Sequence, residues 1–534
     1  MQIIIPMAGL GQRFINEGYE TPKPLLLIDG APIIHHIIDL FPGEKNFLFI
    51  CNENHLKNSK LKMRDTIKKK VPNSKIISIK THKLGPAYSV SKIFDYINDE
   101  EEVIINYCDF SCYWDYLSFK QEIKINDSFG AVPSFKNFHP HSLWLKNFAY
   151  IKNKNNLVLD IQEKKPFTDN QIKEFASTGT YYFNSGKILK QSINYCFKHK
   201  LKVNNEYFIS LAYKYLLSKK KKITVHEVEH FMAWGAPQDY EEFVSWFNVF
   251  KYFSKNNYNK IHLKEHALII PMAGMGRRFT DEGYQTPKPL IKVKDNYMFL
   301  SAINGMPRFG IYVFVIRKDT PNLKKIKRII LDKYPNSIIK ILSAETDGQA
   351  TSCFKGVEAL IKKRKNFTGS ITFAACDNFN IYNEKKLSKW FTSKNSDVLV
   401  WGAQNHPTAI RSPELFGWIK LQNRQKIKRL IVKKMPENPN LESIFVGTVS
   451  FKSVRIFIES FLNLKDRDGR VNGELYLDSC INDAIRLGFN CQLFPMKNYI
   501  SWGTPNDLKI FEYWENCFRK WNSHKFSGFK KNKN

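Results

Sequence analysis

"IIIPMAGLGQRFINEGYETPKPLLLIDG", residues 3–30, is the stretch of sequence that decides the fold prediction. Its short apolar run ends at a glycine, which is typical of a buried strand that opens into a loop. Nearly the same pattern returns as "LIIPMAGMGRRFTDEGYQTPKPLIKVKD" at residues 268–295. Two copies of so long a pattern indicate an internal repeat.

The repeat extends over whole halves of the chain. Pairs offset by 265 residues are Gly9 and Gly274, Arg13 and Arg278, and Lys23 and Lys288. Pairs offset by 268 residues are Asp109 and Asp377, Gly179 and Gly447, and Glu206 and Glu474. So small a drift predicts two copies of one domain rather than a motif reused by chance.

A polar run rich in Asn and Lys separates the two copies. It follows "DYEEFVSWFNVF", a helix-like stretch whose counterpart "DLKIFEYWENCF" closes the second half. We therefore predict a first domain at 1–253, a linker at 254–265, a second domain at 266–520 and a basic tail at 521–534.

Strand-like and helix-like segments alternate in both halves. "NFLFICN" and "EVIINYCDF" are strand-like runs, and "DGQATSCFKGVEALI" has a helical pattern. The alternation predicts the α/β class, as tandem Rossmann-like three-layer αβα domains, each with a mixed and mostly parallel sheet. Ligands of such sheets lie beyond the carboxyl ends of the strands, where both glycine loops, Asp109 and Asp377 fall.

The composition narrows the choice of partners. The formal net charge of +32 comes from scattered lysines, which suit either phosphate-bearing substrates or a polyanion. We expect the former, and no nucleic acid. Nine cysteines without metal-ligand spacing predict reduced thiols in the cytoplasm. We expect neither a signal peptide nor a membrane span, because no basic leader and no long apolar run is present.

The glycine loop has the features of a phosphate site. Gly9 and Gly11 allow backbone N–H groups to approach a ligand closely. Arg13 adds a cation, and a proline on each side of Lys23 holds a second cation in place. The loop is neither the dinucleotide fingerprint nor a Walker loop. Two cations and a ring of N–H groups fit a triphosphate.

These motifs resemble the signature of the sugar-phosphate nucleotidyltransferases. The resemblance rests on "PMAGLGQRF…TPKPL" and "PMAGMGRRF…TPKPL" and covers nearly the whole chain as two copies. It implies an enzyme that joins a nucleoside triphosphate (NTP) to a sugar 1-phosphate, or to a similar phosphorylated headgroup, and releases pyrophosphate. It also implies Mg²⁺ as the cofactor and an activated precursor of surface polysaccharide as the product. The sequence leaves a homo-oligomer open.

The resemblance implies a role for each matching residue. The catalytic cations would be Arg13, Lys23, Lys165, Arg278, Lys288 and Lys434. The nucleotide would bind at Gly9, Gly11, Gly85, Gly274, Gly276, Gly348 and Gln349. The sugar would bind at Gly179, Glu206, Gly447 and Glu474, and the metal at Asp109 and Asp377.

The chain also departs from the family pattern. Pro86 stands where the second half has Gln349, which puts base selection by the first half in doubt. Ala233 and Ser501 stand where many members carry a second metal-binding Asp. A single Asp then holds the metal, Asp239 and Asp507 help from nearby, or catalysis is weakened.

Three other functions compete with nucleotidyl transfer. One or both halves would only bind a nucleotide or nucleotide sugar, as a catalytically degenerate unit. A glycosyltransferase of the GT-A type has a similar α/β shape but does not need the Arg-Phe and Pro-Lys-Pro elements. Binding of a polyanion is the remaining alternative.

Overall fold

A computed structural model describes residues 1–143, 146–254, 260–393, 395–406, 408–409 and 412–527. The chain forms two compact units, Met1–Ser254 with Tyr513–Asn534, and Lys255–Glu512. We refer to them as the first and the second domain.

The first domain alternates strands and helices along the chain. Its strands are β1 (Gln2–Met7), β2 (Leu27–Ile28), β3 (Ala31–Pro32), β4 (Phe47–Asn52), β5 (Lys75–Ile79), β6 (Val103–Asn106), β7 (Phe110–Tyr113), β8 (Gly130–Phe135), β9 (Ala149–Lys154), β10 (Leu157–Glu163), β11 (Phe175–Ser177), β12 (Thr180–Phe183), β13 (Ile223–Glu227) and β14 (His230–Ala233). Its α-helices are α1 (Gln12–Asn16), α2 (Ile33–Ile38), α3 (Glu53–Lys57), α4 (Met63–Lys70), α5 (Pro86–Ser91), α6 (Tyr116–Ile125), α7 (Gly186–Lys198), α8 (Ile209–Ser218) and α9 (Pro237–Phe253).

The second domain repeats this alternation. Its strands are β15 (His262–Pro271), β16 (Lys292–Val293), β17 (Asn296–Tyr297), β18 (Arg308–Arg317), β19 (Ile338–Leu342), β20 (Ile371–Phe373), β21 (Asn378–Ile381), β22 (Val398–Ala403), β23 (Trp418–Leu421), β24 (Ile427–Ile431), β25 (Ser443–Phe451), β26 (Cys491–Pro495) and β27 (Asn498–Ser501). Its α-helices are α10 (Arg277–Thr280), α11 (Met298–Ile303), α12 (Leu323–Lys333), α13 (Gln349–Lys363), α14 (Glu384–Thr392), α15 (Val454–Asp466), α16 (Leu477–Arg486) and the start of α17 (Pro505–Lys520).

The two main sheets share one strand order. It runs β5-β4-β1-β6-β12-β8-β13 in the first domain and β19-β18-β15-β20-β25-β22-β26 in the second. In each order one strand, β12 or β25, is antiparallel to both neighbours, and the other six strands run in one direction. The predicted α/β fold with a mixed, mostly parallel sheet is confirmed in both domains.

Helices cover both faces of the second sheet. Along β15, Ala267 and Ile269 pack into one core with α13, α15 and α16, whereas Leu268 and Ile270 pack into the other with α11, α12 and α14. In the first domain, one face of the sheet packs against α5, α7 and α8. Each fully buried aliphatic side chain contributes about 1.5–3 kcal/mol to folding, so these cores fix the strand ends that carry the site.

The predicted domain boundaries differ in part from the observed units. The predicted linker, 254–265, lies partly outside the described residues, and its last residues belong to β15. Within the predicted basic tail, 521–534, Trp521 and Phe526 are buried in the first domain, and 528–534 lie outside the described residues.

The cysteines and the helices match two further expectations. All nine cysteines are free thiols, and eight of them are buried. Within the part of the chain that the structure describes, no helix has the length and apolar character needed to cross a bilayer.

Candidate active site

The glycine loops lie at the carboxyl ends of β1 and β15, the edge where α/β sheets bind ligands. Gly11 and Gly276 both have φ of +67°, in the left-handed region that favours glycine, and each precedes a short helix. Those helices present Arg13 and Arg278 with exposed side chains. Gly9 and Gly274 are exposed as well, and a Cβ added to either would have no neighbouring atom within 4 Å. The loop backbone is therefore open to a ligand.

A lysine and an aspartate pair beneath each loop. The Nζ atom of Lys23 donates a hydrogen bond to Oδ2 of Asp109 at 2.9 Å, and Lys288 makes the same ion pair with Asp377. Burial opposes the charge on each ammonium, but the facing carboxylate outweighs it and raises the pKa of both lysines. Both lysines are thus positively charged at neutral pH, as a phosphate ligand requires.

The two aspartates lie just beyond their strands. The sequence suggested that Asp109 ends a strand, but β6 stops at Asn106 and Asp109 lies in the short connection to β7. A glycine from a later loop lies against each carboxylate. A Cβ on Gly235 would stand 3.2 Å from Oδ2 of Asp109, and one on Gly503 would stand 3.4 Å from Oδ2 of Asp377. Any larger residue at these glycines would crowd the carboxylate.

The glycines of the predicted base turn are pinned against the loop that carries the predicted sugar ligand. Gly85 has φ of +87°, and a Cβ there would lie 2.7 Å from the backbone N and O of Tyr207. Gly348 has φ of +133°, and a Cβ there would collide with the backbone of Leu475. Gln349 follows as the first residue of α13 and is half-buried. Only glycine fits this close approach.

The predicted sugar-binding residues lie beside this turn. The backbone of Glu206 exchanges two hydrogen bonds with Val203, at 2.9 and 3.0 Å, and the backbone of Glu474 does the same with Val471. Gly179 and Gly447 have φ of +104° and +72°. The structure therefore brings the loop, the Lys–Asp pair, the base turn and these residues to one edge of each sheet.

The predicted sugar-phosphate lysines do not join this group. Lys165 and Lys434 have exposed side chains, whereas the preceding Lys164 and Lys433 adopt φ of +57° and +51°. The Nζ atom of Lys164 lies 4.6 Å from the ring centroid of Phe208, next to the loop with the predicted sugar ligand. The sequence pointed to Lys165, directly before Pro166, and to Lys434, which Met435 separates from Pro436. In each domain the lysine one position earlier is the less exposed of the two.

Lys433, the residue before the predicted Lys434, lies near several charged groups. Its Nζ atom donates a hydrogen bond to the backbone O of Leu415 at 2.7 Å. Burial lowers its pKa, and Arg278 adds to this effect against the attraction of Asp478 and Glu474. Lys433 therefore faces the same charged groups as the predicted site residues.

The two domains differ at the position of the missing second aspartate. In the second domain, Oδ2 of Asp507 accepts hydrogen bonds from Ser501 Oγ at 3.2 Å and from the backbone N of Thr504 at 3.1 Å. A Cβ on Gly503 would lie 3.9 Å from that oxygen, on the side of Asp377. Burial, reinforced by Asp377, raises the pKa of Asp507.

The equivalent aspartate of the first domain has an additional contact with a histidine. Oδ1 of Asp239 lies 3.2 Å from Nδ1 of His141, and its Oδ2 accepts a hydrogen bond from the backbone N of Ala236 at 3.2 Å. Nε2 of the same imidazole lies 3.5 Å from Glu242 Oε2. Asp239 therefore contacts a buried histidine in addition to making the same backbone hydrogen bond as Asp507.

A buried carboxylate that the sequence did not reveal lies behind each site. Glu163 Oε2 accepts a hydrogen bond from Ser210 Oγ at 2.6 Å, and burial raises the pKa of Glu163 to about 7. In the second domain the carboxylate comes from the helix, as Asp478, and burial raises its pKa to about 6. An alignment of the two halves would have shown that Asp478 takes the position of Ser210, because the two residues are 268 positions apart.

A cavity of about 460 Å³ joins the elements of the second site. Its walls include Gly276, Arg278, Lys288, Gln349, Asp377 and Glu474. A volume of this order is within the usual range of small-molecule sites.

The first domain is similar in sequence to a known protein family. The model of the nucleotidyl transferase family matches residues 2–242. The first domain belongs to the nucleotidyl transferase family. The second domain repeats the strand order and the glycine loop of the first domain.

A curated relative is similar to part of the chain. The bifunctional protein GlmU of Buchnera aphidicola subsp. Baizongia pistaciae is 30% identical over 219 residues, which cover 39% of this chain. The match spans 43% of the length of that relative.

Two solved structures are also similar to about half of this chain. The nucleoside-diphosphate-sugar pyrophosphorylase of Vibrio cholerae RC9 is 22% identical, with a TM-score of 0.38, over 46% of this chain and 98% of its own. The inositol-1-phosphate CTP transferase of T. maritima is 14% identical, with a TM-score of 0.37, over 51% of this chain and 100% of its own.

Proposed function

We propose that the chain transfers a nucleotidyl group from an NTP to a sugar 1-phosphate or a similar phosphorylated headgroup, with release of pyrophosphate. The observation that carries this proposal is the lysine–aspartate pair beneath an open glycine loop, which occurs in both domains. The family of the first domain supports it. The product would be an activated precursor, and surface polysaccharide synthesis is the use we propose for it.

The positive side chains of the second site match the charges that such a reaction develops. An oxygen of the headgroup phosphate attacks the α-phosphorus, so one P–O bond forms while the bond to the leaving pyrophosphate breaks. The attacking oxygen is already an anion, so the reaction needs no general base. Lys288 steadies the α-phosphate and Arg278 the pyrophosphate. A placed donor of this kind contributes about 2.7–4 kcal/mol.

The oxygen donors of the second site fit Mg²⁺. A Cβ on Gly503 would lie 3.4 Å from Oδ2 of Asp377 and 3.9 Å from Oδ2 of Asp507, so the two carboxylates flank this glycine. Among the described residues, no group of three or more His, Cys, Asp and Glu could hold a metal unaided. Mg²⁺ typically takes one or two carboxylates and completes its shell with water and substrate phosphates. When bound, it supplies Lewis-acid stabilisation of phosphate charge. Asp109 would hold it in the first domain.

A second candidate function concerns the first domain alone, which would bind a nucleotide without turnover. Two observations favour it. Pro86 replaces the glutamine of the base turn, and Asp239 is held by His141. The Lys23–Asp109 pair is nevertheless intact.

Pyrophosphate release tests the proposal. Full-length protein is mixed with Mg²⁺, each of four NTPs and a panel of sugar 1-phosphates and similar headgroups. We expect release with one base and one headgroup class, and release with no combination would overturn the proposal. Separate Asp109→Asn and Asp377→Asn variants assign the activity. If only Asp377→Asn abolishes turnover, the first domain only binds. A glycosyltransferase would instead release a nucleoside diphosphate from a nucleotide sugar.

A further inference from the structure

Aromatic rings cover the late glycine of the first domain. Gly179 is buried, and a Cβ there would lie 3.2 Å from Cδ2 of Tyr107 and 3.0 Å from Cε1 of Phe110. The Tyr107 hydroxyl accepts a hydrogen bond from the backbone N of Ile209 at 3.3 Å. The tyrosine therefore spans the space between the strand and the first residue of α8.

The same place is open in the second domain. A Cβ on Gly447 would have Ala375 Cβ at 3.4 Å and Asn378 Nδ2 at 3.8 Å as its neighbours, and no ring of the described residues lies within 4 Å of it. Gly447 is half-buried, whereas its counterpart is buried. Ala375 also lines the cavity that holds Lys288 and Glu474. The space over this glycine is thus continuous with the phosphate site.

The tyrosine and the alanine are structurally equivalent. Tyr181 lies opposite Ile105 in the first sheet, and Val449 lies opposite Phe373 in the second. Because the register is the same, the residues two positions beyond Ile105 and Phe373 occupy the same place in each site. Phe110 and Asn378 correspond in the same way, so the two domains differ at two shared positions. Of the two residues in the second domain, Ala375 is the one that lines the cavity.

We infer that the second domain accepts a phosphorylated headgroup with a hexose-sized ring, whereas Tyr107 restricts the first domain to a shorter headgroup. A phenol ring has about the size of a pyranose ring, so Tyr107 fills the space that Ala375 leaves for the ligand. Close-packed interiors do not yield a volume of this size without cost. The inference deepens the proposed function and rests on it for the identity of the phosphate site.

The number of binding sites per chain tests this inference. Calorimetric titration of full-length protein uses glucose, galactose, mannose and N-acetylglucosamine 1-phosphates as probes, in the presence of a non-hydrolysable NTP analogue. We expect one site per chain for at least one probe. Tyr107→Ala should add a second site, and Ala375→Tyr should weaken the existing site at least tenfold. Tyr107→Phe keeps the ring and removes only the hydroxyl, so it should leave one site.

Other outcomes have equally definite meanings. Two sites in the unmodified chain, no binding of any probe, or unchanged binding in Ala375→Tyr overturns the inference. The thermal shift induced by the NTP analogue shows that each variant is folded. One hexose site without pyrophosphate release from any combination would sustain the inference while the proposed function fails. Pyrophosphate release, together with an unchanged number of binding sites in Tyr107→Ala and Ala375→Tyr, would support the proposed function and overturn the inference.

Discussion

The phosphate side of the two domains is nearly the same, and the headgroup side is not. Both have the glycine loop and the Lys–Asp pair, yet Tyr107 in one domain corresponds to Ala375 in the other. Every NTP carries the same triphosphate, so one arrangement of cations serves both copies. In the proposed reaction the headgroup is the variable part, and the residues proposed to surround it differ between the domains. The two domains therefore share the residues proposed to bind phosphate and differ in the residues proposed to select the headgroup.

Removing the lysine that the two domains share should have the largest effect. We expect Lys288→Ala to lower the turnover of the second site about 100- to 1,000-fold, because an oriented cation at the α-phosphate is lost. Lys23→Ala should do the same to any turnover of the first site. Pyrophosphate release from full-length protein measures both changes.

Lys362→Ala is the matched control, since that lysine is exposed on α13. A comparable loss in this control, or a loss below tenfold in Lys288→Ala, would contradict a role for the pair in catalysis.

The buried carboxylates Glu163 and Asp478 should make the stability of the two domains depend on pH over different ranges. The raised pKa of Glu163 keeps its proton in place up to about pH 7 in the folded chain, whereas the unfolded chain loses it near the ordinary value of 4.5. Stability therefore falls as the pH rises from about 4.5 to 7, since the folded state binds more protons there. For Asp478 the window runs from the ordinary pKa of 3.8 to about 6.

We expect Glu163→Gln to remove this loss, so its stability relative to the unmodified chain should rise between pH 4.5 and 7. The gain reaches roughly 3 kcal/mol at most, because each pKa unit is worth about 1.4 kcal/mol. Asp478→Asn should show the same gain at a pH about one unit lower. Thermal unfolding across this pH range measures both, and pH-independent differences would argue against buried, protonated carboxyls.

The two aspartates near the missing metal ligand should respond differently. We expect Asp507→Asn to weaken Mg²⁺ binding about 10- to 100-fold, as the loss of a supporting carboxylate does at metal sites. Asp239→Asn should leave Mg²⁺ binding unchanged and destabilise the first domain by about 1–3 kcal/mol, because the amide keeps only one of the two carboxylate oxygens that contact buried His141 and the backbone N of Ala236.

Titration with Mn²⁺ followed by electron paramagnetic resonance reports metal binding without turnover, and thermal unfolding reports the stability. A weaker metal affinity in Asp239→Asn would show that the two domains bind the cation alike.

The smallest effect is expected at the paired lysines. Lys433→Ala should raise the KM for the headgroup phosphate about tenfold, the cost of one charge-assisted hydrogen bond. Lys434→Ala should change it less, because that side chain is exposed. Steady-state kinetics with the preferred headgroup decides between them, and the reverse order would support Lys434, the lysine that the family resemblance indicated.

Much of the fold could be predicted from the sequence because the repeat supplied two independent readings of each strand. The glycine loop, the proline-braced lysine and the paired aspartates are local patterns, and the structure brings them together. The choice between Lys164 and Lys165 could not be predicted, since it depends on a left-handed turn before a proline.

Long-range packing explains the remaining differences. The His141–Asp239 contact joins residues about a hundred positions apart, and no local pattern announces it. The Glu163–Ser210 pair is likewise assembled by the fold, from a strand and a helix. The mismatch between Tyr107 and Ala375 is visible in the sequence, but its meaning depends on which side chain covers a glycine.

The close approach at Gly348 has a thermodynamic consequence. The backbone N of Ala350 donates to the O of Leu475 at 2.9 Å, and the N of Leu475 donates to the O of Asp347 at 2.7 Å. These two backbone hydrogen bonds join the predicted base turn to the segment that carries Glu474. A nucleotide that changed the position or mobility of the turn would therefore also change that of the segment with Glu474. If the proposed function holds, the nucleotide and headgroup affinities should be coupled, and each ligand should change the affinity of the other by the same factor.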